Sequence, residues 1–255
     1  MYIVHGFHFH RDGRIPTNLL YRSVEETLSG RTDAVMVVSG EDFDAASTGP
    51  IGRRTRVFRL PGAGVDIQAF SSAPPERSFP EDALVTLFCG ELSRTKNPQA
   101  AVEAVLEARG RGRDVRLVVA GDGALRPDLD RYLGRSDAGD WLQHIPFSDR
   151  VPSLMQGADV LMSTSSREGL PRVLVEALAA GLPIVSIANR GSRELLAGGM
   201  GRLVPRSEPQ ELTDALVSFR RSDWPTHEEM LRKADDYSAD RVADAYSAAL
   251  AELFA

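Results

Sequence analysis

The sequence holds one cysteine, Cys89, which excludes an internal disulfide. Its place inside the apolar run VTLFCG reads as a buried structural thiol, consistent with a reducing compartment. No apolar run approaches the ~20 residues needed to span a bilayer, and no signal peptide opens the chain. The expectation is a soluble, cytoplasmic protein. Positive charge is not in excess either: 30 Lys and Arg face 36 Asp and Glu, a net charge of −6. That balance argues against a general nucleic-acid binder, so any phosphate recognition must be local. What remains is ordinary for a globular chain, with 42% hydrophobic and 26% charged residues among 255. Such a length can form one large domain or one and a half small ones.

Short apolar, β-branched runs predict strands over 85–89, 115–120, 159–164, 183–187 and 202–204, with a weaker one over 141–145. Helical patterns lie between them, over 98–109, 125–133, 151–156, 171–180 and 192–196. Further helices are predicted over 208–220, 226–236 and 240–254. Strands apolar throughout, alternating with amphipathic helices, argue for a parallel sheet covered on both faces. The right-handedness of βαβ crossovers makes this α/β fold a Rossmann-like doubly wound sheet of about six strands within 61–205. Ligands in such sheets bind beyond the carboxyl ends of the strands. The first sixty residues differ, with strands over 2–5, 34–38 and 56–60 and helices over 19–28 and 41–46. Three strands and two helices are too few for an independent doubly wound domain.

The stretch 163–196, STSSREGLPRVLVEALAAGLPIVSIANRGSRELL, is the most informative. Glu168 and Glu176 stand eight residues apart around a Gly-Leu-Pro turn that opens a helix. Pro171 suits the first helical position, and Gly181 followed by Pro183 ends the run. Glu168 therefore lies just before the helix and Glu176 about one turn inside it. A helix N-terminus with free N–H groups suits a phosphate or diphosphate. Carboxylates on either side could then accept hydrogen bonds from sugar hydroxyls, as a nucleotide diphosphate sugar would require.

The frame EGLPRVLVEALAAGLPIV, with Glu168-x7-Glu176, resembles the donor-sugar motif of retaining glycosyltransferases of the GT-B fold, in the large family 4. Other segments agree. VFRLPGAGVDIQAF (57–70) is similar to the family's entry into its second domain, and VTLFCGELSRTKN (85–97) to its first strand and basic loop. LVVAGDG (117–123) resembles the next strand and glycine turn, and 145–165 the base-binding loop, helix and strand. YIVHGFHFH (2–10) looks like the strand and loop that carry a histidine in polysaccharide-forming members.

The resemblance implies three regions: a remnant of an acceptor-side domain over 1–60, a nucleotide-sugar donor domain over 61–236, and a helix over 237–255 returning to the first. It also implies transfer of a hexose from a nucleotide diphosphate sugar to a glycan or lipid-linked acceptor, with retention and without a metal or other cofactor. His5 and Glu168 would be catalytic. Donor contacts would come from Gly64, Arg94, Lys96, Gly121, Ser148, Val151, Glu168, Gly169, Leu170 and Glu176. Glu176 would hold the ribose, Glu168 the donor sugar, and the loop 147–151 the base. One departure concerns the basic loop, where Glu91 follows Gly90 in place of the usual arginine. Arg94 could replace the lost charge as a guanidinium fork.

The family's first domain should carry more strands, so the chain reads as a fragment, a misplaced start or one of two polypeptides, and the isolated chain as inactive. An open edge and apolar faces in residues 1–60 predict self-association or a partner chain there. A non-catalytic nucleotide-sugar-binding half is the alternative reading. His5, His8 and His10 have metal-ligand spacing but no acidic or cysteine partner nearby, so no metal site is expected. Asp42/Asp44 and Asp128/Asp130 fall in helical segments and read as solvated charges. Arg109, Arg111 and Arg113 read as an exposed turn that could reach anionic lipid at a membrane surface.

Overall fold

A computed structural model describes residues 1–11 and 13–255. The first strands, β1 (Tyr2–Val4), β2 (Ala34–Val37) and β3 (Arg56–Arg59), form a small parallel sheet in that order. Helices α1 (Ile15–Ser29) and α2 (Gly40–Ser47) connect them. The second sheet holds β4 (Leu84–Cys89), β5 (Val115–Ala120), β6 (Leu142–Ile145), β7 (Val160–Ser163), β8 (Ile184–Ile187) and β9 (Arg202–Val204). All its pairings are parallel, in the order β6-β5-β4-β7-β8-β9. Chain direction across the sheet therefore reverses between β4 and β7, and their carboxyl ends splay into a crevice.

The central strands are largely apolar because helices cover both faces of the sheet. Leu87, Leu161 and Ile184 meet α3 (Ile67–Ser71), α6 (Val151–Gly157), α7 (Arg172–Ala180) and α10 (His227–Asp235) through Phe70, Leu154, Leu178 and Met230. On the opposite face Phe88, Val119 and Met162 meet α4 (Pro98–Gly110), α5 (Arg126–Leu133) and α9 (Gln210–Val217) through Val105, Leu129 and Leu216. The last helix, α11 (Ala239–Phe254), returns to the small sheet, where Ala249 packs with Met36 and Leu60. Its entry is stitched by Val65 N donating to Tyr237 O (3.1 Å) and Ala239 N donating to Val65 O (3.0 Å). Among the described residues, no helix is long and apolar enough to cross a membrane.

Element ends differ from expectation for local reasons. Helix α1 begins at Ile15 rather than 19, because Pro16 fits a first turn. Helix α7 begins at Arg172, with Pro171 as its N-cap. The unexpected α3 is capped by Asp66, whose carboxylate accepts from Ala69 N at 3.0 Å. Helix α8 (Arg190–Leu195) starts two residues early on a capping box between Asn189 and Ser192.

One expectation is overturned. Asp42 is not a solvated charge: only 1% of it is exposed, and it pairs with Arg190, itself 8% exposed. Asp42 also accepts from Phe7 N (3.3 Å) and Ser39 Oγ (2.8 Å), while Arg190 donates to Phe9 O at 2.8 Å. Beside this pair, Glu194 of α8 accepts from Gly40 N (2.8 Å) and from Arg59 (2.6 Å). These contacts join α2 and the loop after β1 to α8, and so clamp the small sheet onto the large one. Asp128 and Asp130 do sit on a helix surface, paired with Arg131 and Arg126.

Removing one member of a buried ion pair leaves the other charge uncompensated. Arg190→Ala should cost about 3–5 kcal/mol of stability, whereas replacing Asp42 and Arg190 together by apolar residues should cost less. Urea unfolding of both variants measures this. A single-variant loss near zero would show that the pair does not hold the sheets together.

Candidate active site

The crevice between β4 and β7 brings together residues far apart in sequence. After β4 the chain turns at Gly90 and runs through Lys96 to α4, whose N-cap Asn97 takes a left-handed conformation (φ 52°). That conformation is uncommon for a residue with a side chain and is held from outside. Thr164 Oγ1, just past β7, donates to the carbonyl oxygens of Lys96 and Asn97 (both 2.8 Å). Ser166 N donates to Thr95 O at 2.8 Å, and Asn189 Nδ2 to Ser165 O at 3.0 Å. The loop bearing Lys96 is thus sewn to the loop bearing Glu168. Lys96 Nζ lies 2.6 Å from Glu168 Oε1, both side chains being mostly buried. Lys96 and Lys233 are the chain's two lysines.

Behind Glu168, the start of α7 is enclosed by backbone. A β-carbon on Gly169 would sit 1.7 Å from the His5 carbonyl oxygen, so only glycine permits this approach. Leu170 packs its side chain against Gly62. No side chain caps the first turn of α7. Leu174 N donates to Pro171 O at 3.0 Å, and the two N–H groups before it, on Arg172 and Val173, keep the positive end of the helix without a capping side chain, an arrangement that attracts anions.

Glu176, in the second turn of α7, pairs with Arg172 at 2.9 Å. Burial lifts its carboxyl above the ordinary value of 4.5, and Arg172 opposes the rise. Cys89, at the end of β4, lies within electrostatic reach of both Glu176 and Lys96. Burial first, and then the Glu176 charge, push its thiol up to about 12, so it stays protonated and inert. The thiol packs against the hydrophobic core, as a structural cysteine would.

The remaining expected residues are placed less centrally. A β-carbon on Gly121 would lie 1.9 Å from the Gly90 carbonyl oxygen, so its glycine serves the close approach of two strand-end loops. Gly64 lies under Ala239 at the start of α11, a contact that accounts for the glycine by packing. Arg94 is exposed on the Lys96 loop, with no ion pair to Glu168. Ser148 accepts from Arg150 N at 3.0 Å, and Val151 opens α6; both follow β6, two strands from β4. Two strand spacings are roughly 10 Å, about the span of a nucleoside beyond its phosphates. His5 follows β1 directly, exposed, with its carbonyl against Gly169. His8 does not join it but stacks on Tyr21, with ring centroids 4.8 Å apart.

Residues 71–237 match the family model described as glycosyl transferases group 1. The chain is 31% identical over 209 residues to the putative glycosyltransferase EpsD of Bacillus subtilis (strain 168), covering 78% of this chain and 54% of EpsD. It thus spans about half the length of the curated relatives it matches. Among solved structures, the pneumococcal O-GlcNAc transferase GtfA in complex with UDP and GlcNAc superposes with a TM-score of 0.79 at 17% identity, over 99% of this chain and 52% of that one. Anabaena Alr3699/HepE, solved with UDP and glucose, superposes with a TM-score of 0.74 at 20% identity, over 98% of this chain and 71% of that one. The shared fold is the GT-B glycosyltransferase fold, with its Rossmann-like parallel sheets.

The enclosure of α7 is testable through its glycine. Gly169→Ala should drive His5 off the helix start and destabilise the chain by about 1–3 kcal/mol. Gly139→Ala, where a β-carbon meets nothing within 4 Å, should be close to neutral. Equal thermal midpoints for the two variants would contradict the packing described.

Proposed function

We propose, since this chain belongs to the glycosyl transferases group 1 family, that its crevice binds a nucleoside diphosphate sugar and serves sugar transfer with retention. The observation that carries the reading is the meeting of Lys96 and Glu168 at the uncapped start of α7. The diphosphate takes the N–H groups of α7, with Lys96 turning from Glu168 to its oxygens as negative charge grows on the leaving group. Glu168 then accepts from the donor-sugar hydroxyls and Glu176 from the ribose. The base lies toward Ser148 and Val151, and Arg94 reaches the outer phosphate from the rim. The reading assigns charge neutralisation to these groups rather than to a metal ion. His5 stands on the acceptor side of Gly169, where a glycan or lipid-linked hydroxyl would approach the anomeric carbon. Transfer as such belongs to a protein of the relatives' full length. The part tested in this chain is donor binding.

Calorimetry with the uridine, guanosine and adenosine diphosphates should find binding to at least one of them. Lys96→Ala should weaken it roughly 10–100-fold, the worth of one charge-assisted hydrogen bond. Failure of all three nucleotides to bind would overturn the proposal.

Acidity supplies a second test. The raised Glu176 carboxyl accepts ribose hydrogen bonds best when ionised, and it gains its proton on acidification sooner than an ordinary glutamate. Wild-type affinity should therefore begin to fall at a pH above 4.5. In Glu176→Gln that component should be missing, leaving only the titration of the nucleotide itself. Identical pH profiles for the two proteins would remove Glu176 from the ribose site.

A further inference from the structure

We infer that Arg172 is a further donor-binding residue: its guanidinium leaves Glu176 for the diphosphate when a nucleotide enters, and Glu176 is thereby freed for the ribose. This rests on the functional reading above and adds to it a rule of selection. Ligands that carry a diphosphate open the ribose site, and a bare nucleoside does not.

Both carboxylates assigned to sugar hydroxyls are held by cations, Glu168 by Lys96 at 2.6 Å and Glu176 by Arg172 at 2.9 Å. The second pair is the more open to exchange. The Arg172 side chain is 58% exposed, against 27% for Lys96, while that of Glu176 is 14% exposed. An exposed guanidinium thus lies back over a mostly buried carboxylate about one turn deeper in α7. A change of rotamer is enough to move it.

Nothing local favours an arginine at this position. Arg172 is the first residue of α7, where the positive end of the helix dipole repels a cation. Arginine four residues before glutamate is also the less favourable order for an ion pair along a helix. An anion at the helix start reverses both penalties. It is drawn to the uncapped N–H groups of Arg172 and Val173, and it offers the guanidinium a partner that fits its fork of donors.

The exchange also has a cost at the carboxylate. Burial lifts the Glu176 carboxyl above its ordinary value of 4.5, and Arg172 opposes the rise. Once the arginine turns away, the buried charge needs new donors, and ribose hydroxyls supply them. Phosphate contact and ribose contact therefore depend on each other. Lys96 and Glu168 are arranged in the same way on the donor-sugar side, so one diphosphate draws a cation from each carboxylate.

Calorimetry on the full chain tests this, with inorganic pyrophosphate and with whichever nucleoside diphosphate the wild type binds. The variants are Arg172→Ala, Glu176→Gln and Arg172→Ala/Glu176→Gln. Arg172→Ala should weaken pyrophosphate, a probe without ribose, about three- to tenfold, one charge-assisted contact less the ion pair given up. In the Glu176→Gln background the guanidinium has no pair to leave, so the same substitution should cost at least about threefold more. Arg172→Lys should retain part of the affinity, and circular dichroism should show all variants folded like the wild type. An arginine that only shields Glu176 predicts the opposite order, with its removal costing most where Glu176 is present and nothing in Glu176→Gln. That order, or wild-type affinity in Arg172→Ala, would overturn the inference and leave the nucleotide site standing. Failure of the wild type to bind the uridine, guanosine and adenosine diphosphates would instead overturn the functional reading, and this inference with it.

Discussion

The backbone of Gly169 against the carbonyl of His5 is the contact on which the crevice depends. It brings the end of a strand in one sheet to the start of a helix on the other, with no side chain between them. A bare backbone approach of this kind has little attraction of its own, so its register must be held from the sides. Arg190 and Asp42 do this within the protein, where a low dielectric strengthens a satisfied pair and penalises a broken one. Glu194 adds a second tie, to Arg59 and to the backbone of Gly40. The connection through Val65 and Tyr237 and the return of α11 complete the join.

The same economy applies to the opposite wall. Lys96 is carried on a loop whose conformation at Asn97 is unfavourable in isolation. Hydrogen bonds from Thr164 and Ser166 hold it there, so the ammonium meets Glu168 at the mouth of α7. Both walls are thus positioned by groups that need not touch a ligand. Mutations at Thr164, Asn189 or Arg190 would be expected to act on the site by displacing it.

The parallel sheet was legible because strands covered on both faces are apolar throughout and are punctuated by glycine and proline. The start of α7 was legible because Glu168, Gly169, Pro171 and Glu176 have different chemical reasons to be where they are. The burial of Asp42 was not legible, since its partner is 148 residues away and an Asp-x-Asp in a helix looks solvated. Nor were the partners of Arg109, Arg111 and Arg113, two of which, Asp214 and the Phe219 carbonyl, lie over a hundred residues distant. Helix α3 escaped notice because five residues are too few to show a period, although Asp66 marks its cap.

In the proposed function a diphosphate sits at the open start of α7, under the join of the two sheets. Hydrogen–deuterium exchange with and without a nucleoside diphosphate at saturating concentration tests this most directly. Protection should appear in peptides covering residues 168–174 and the Lys96 loop, while α5 and α9 on the opposite face stay unchanged. Protection confined to other segments, or none at all under conditions where the nucleotide binds, would contradict it.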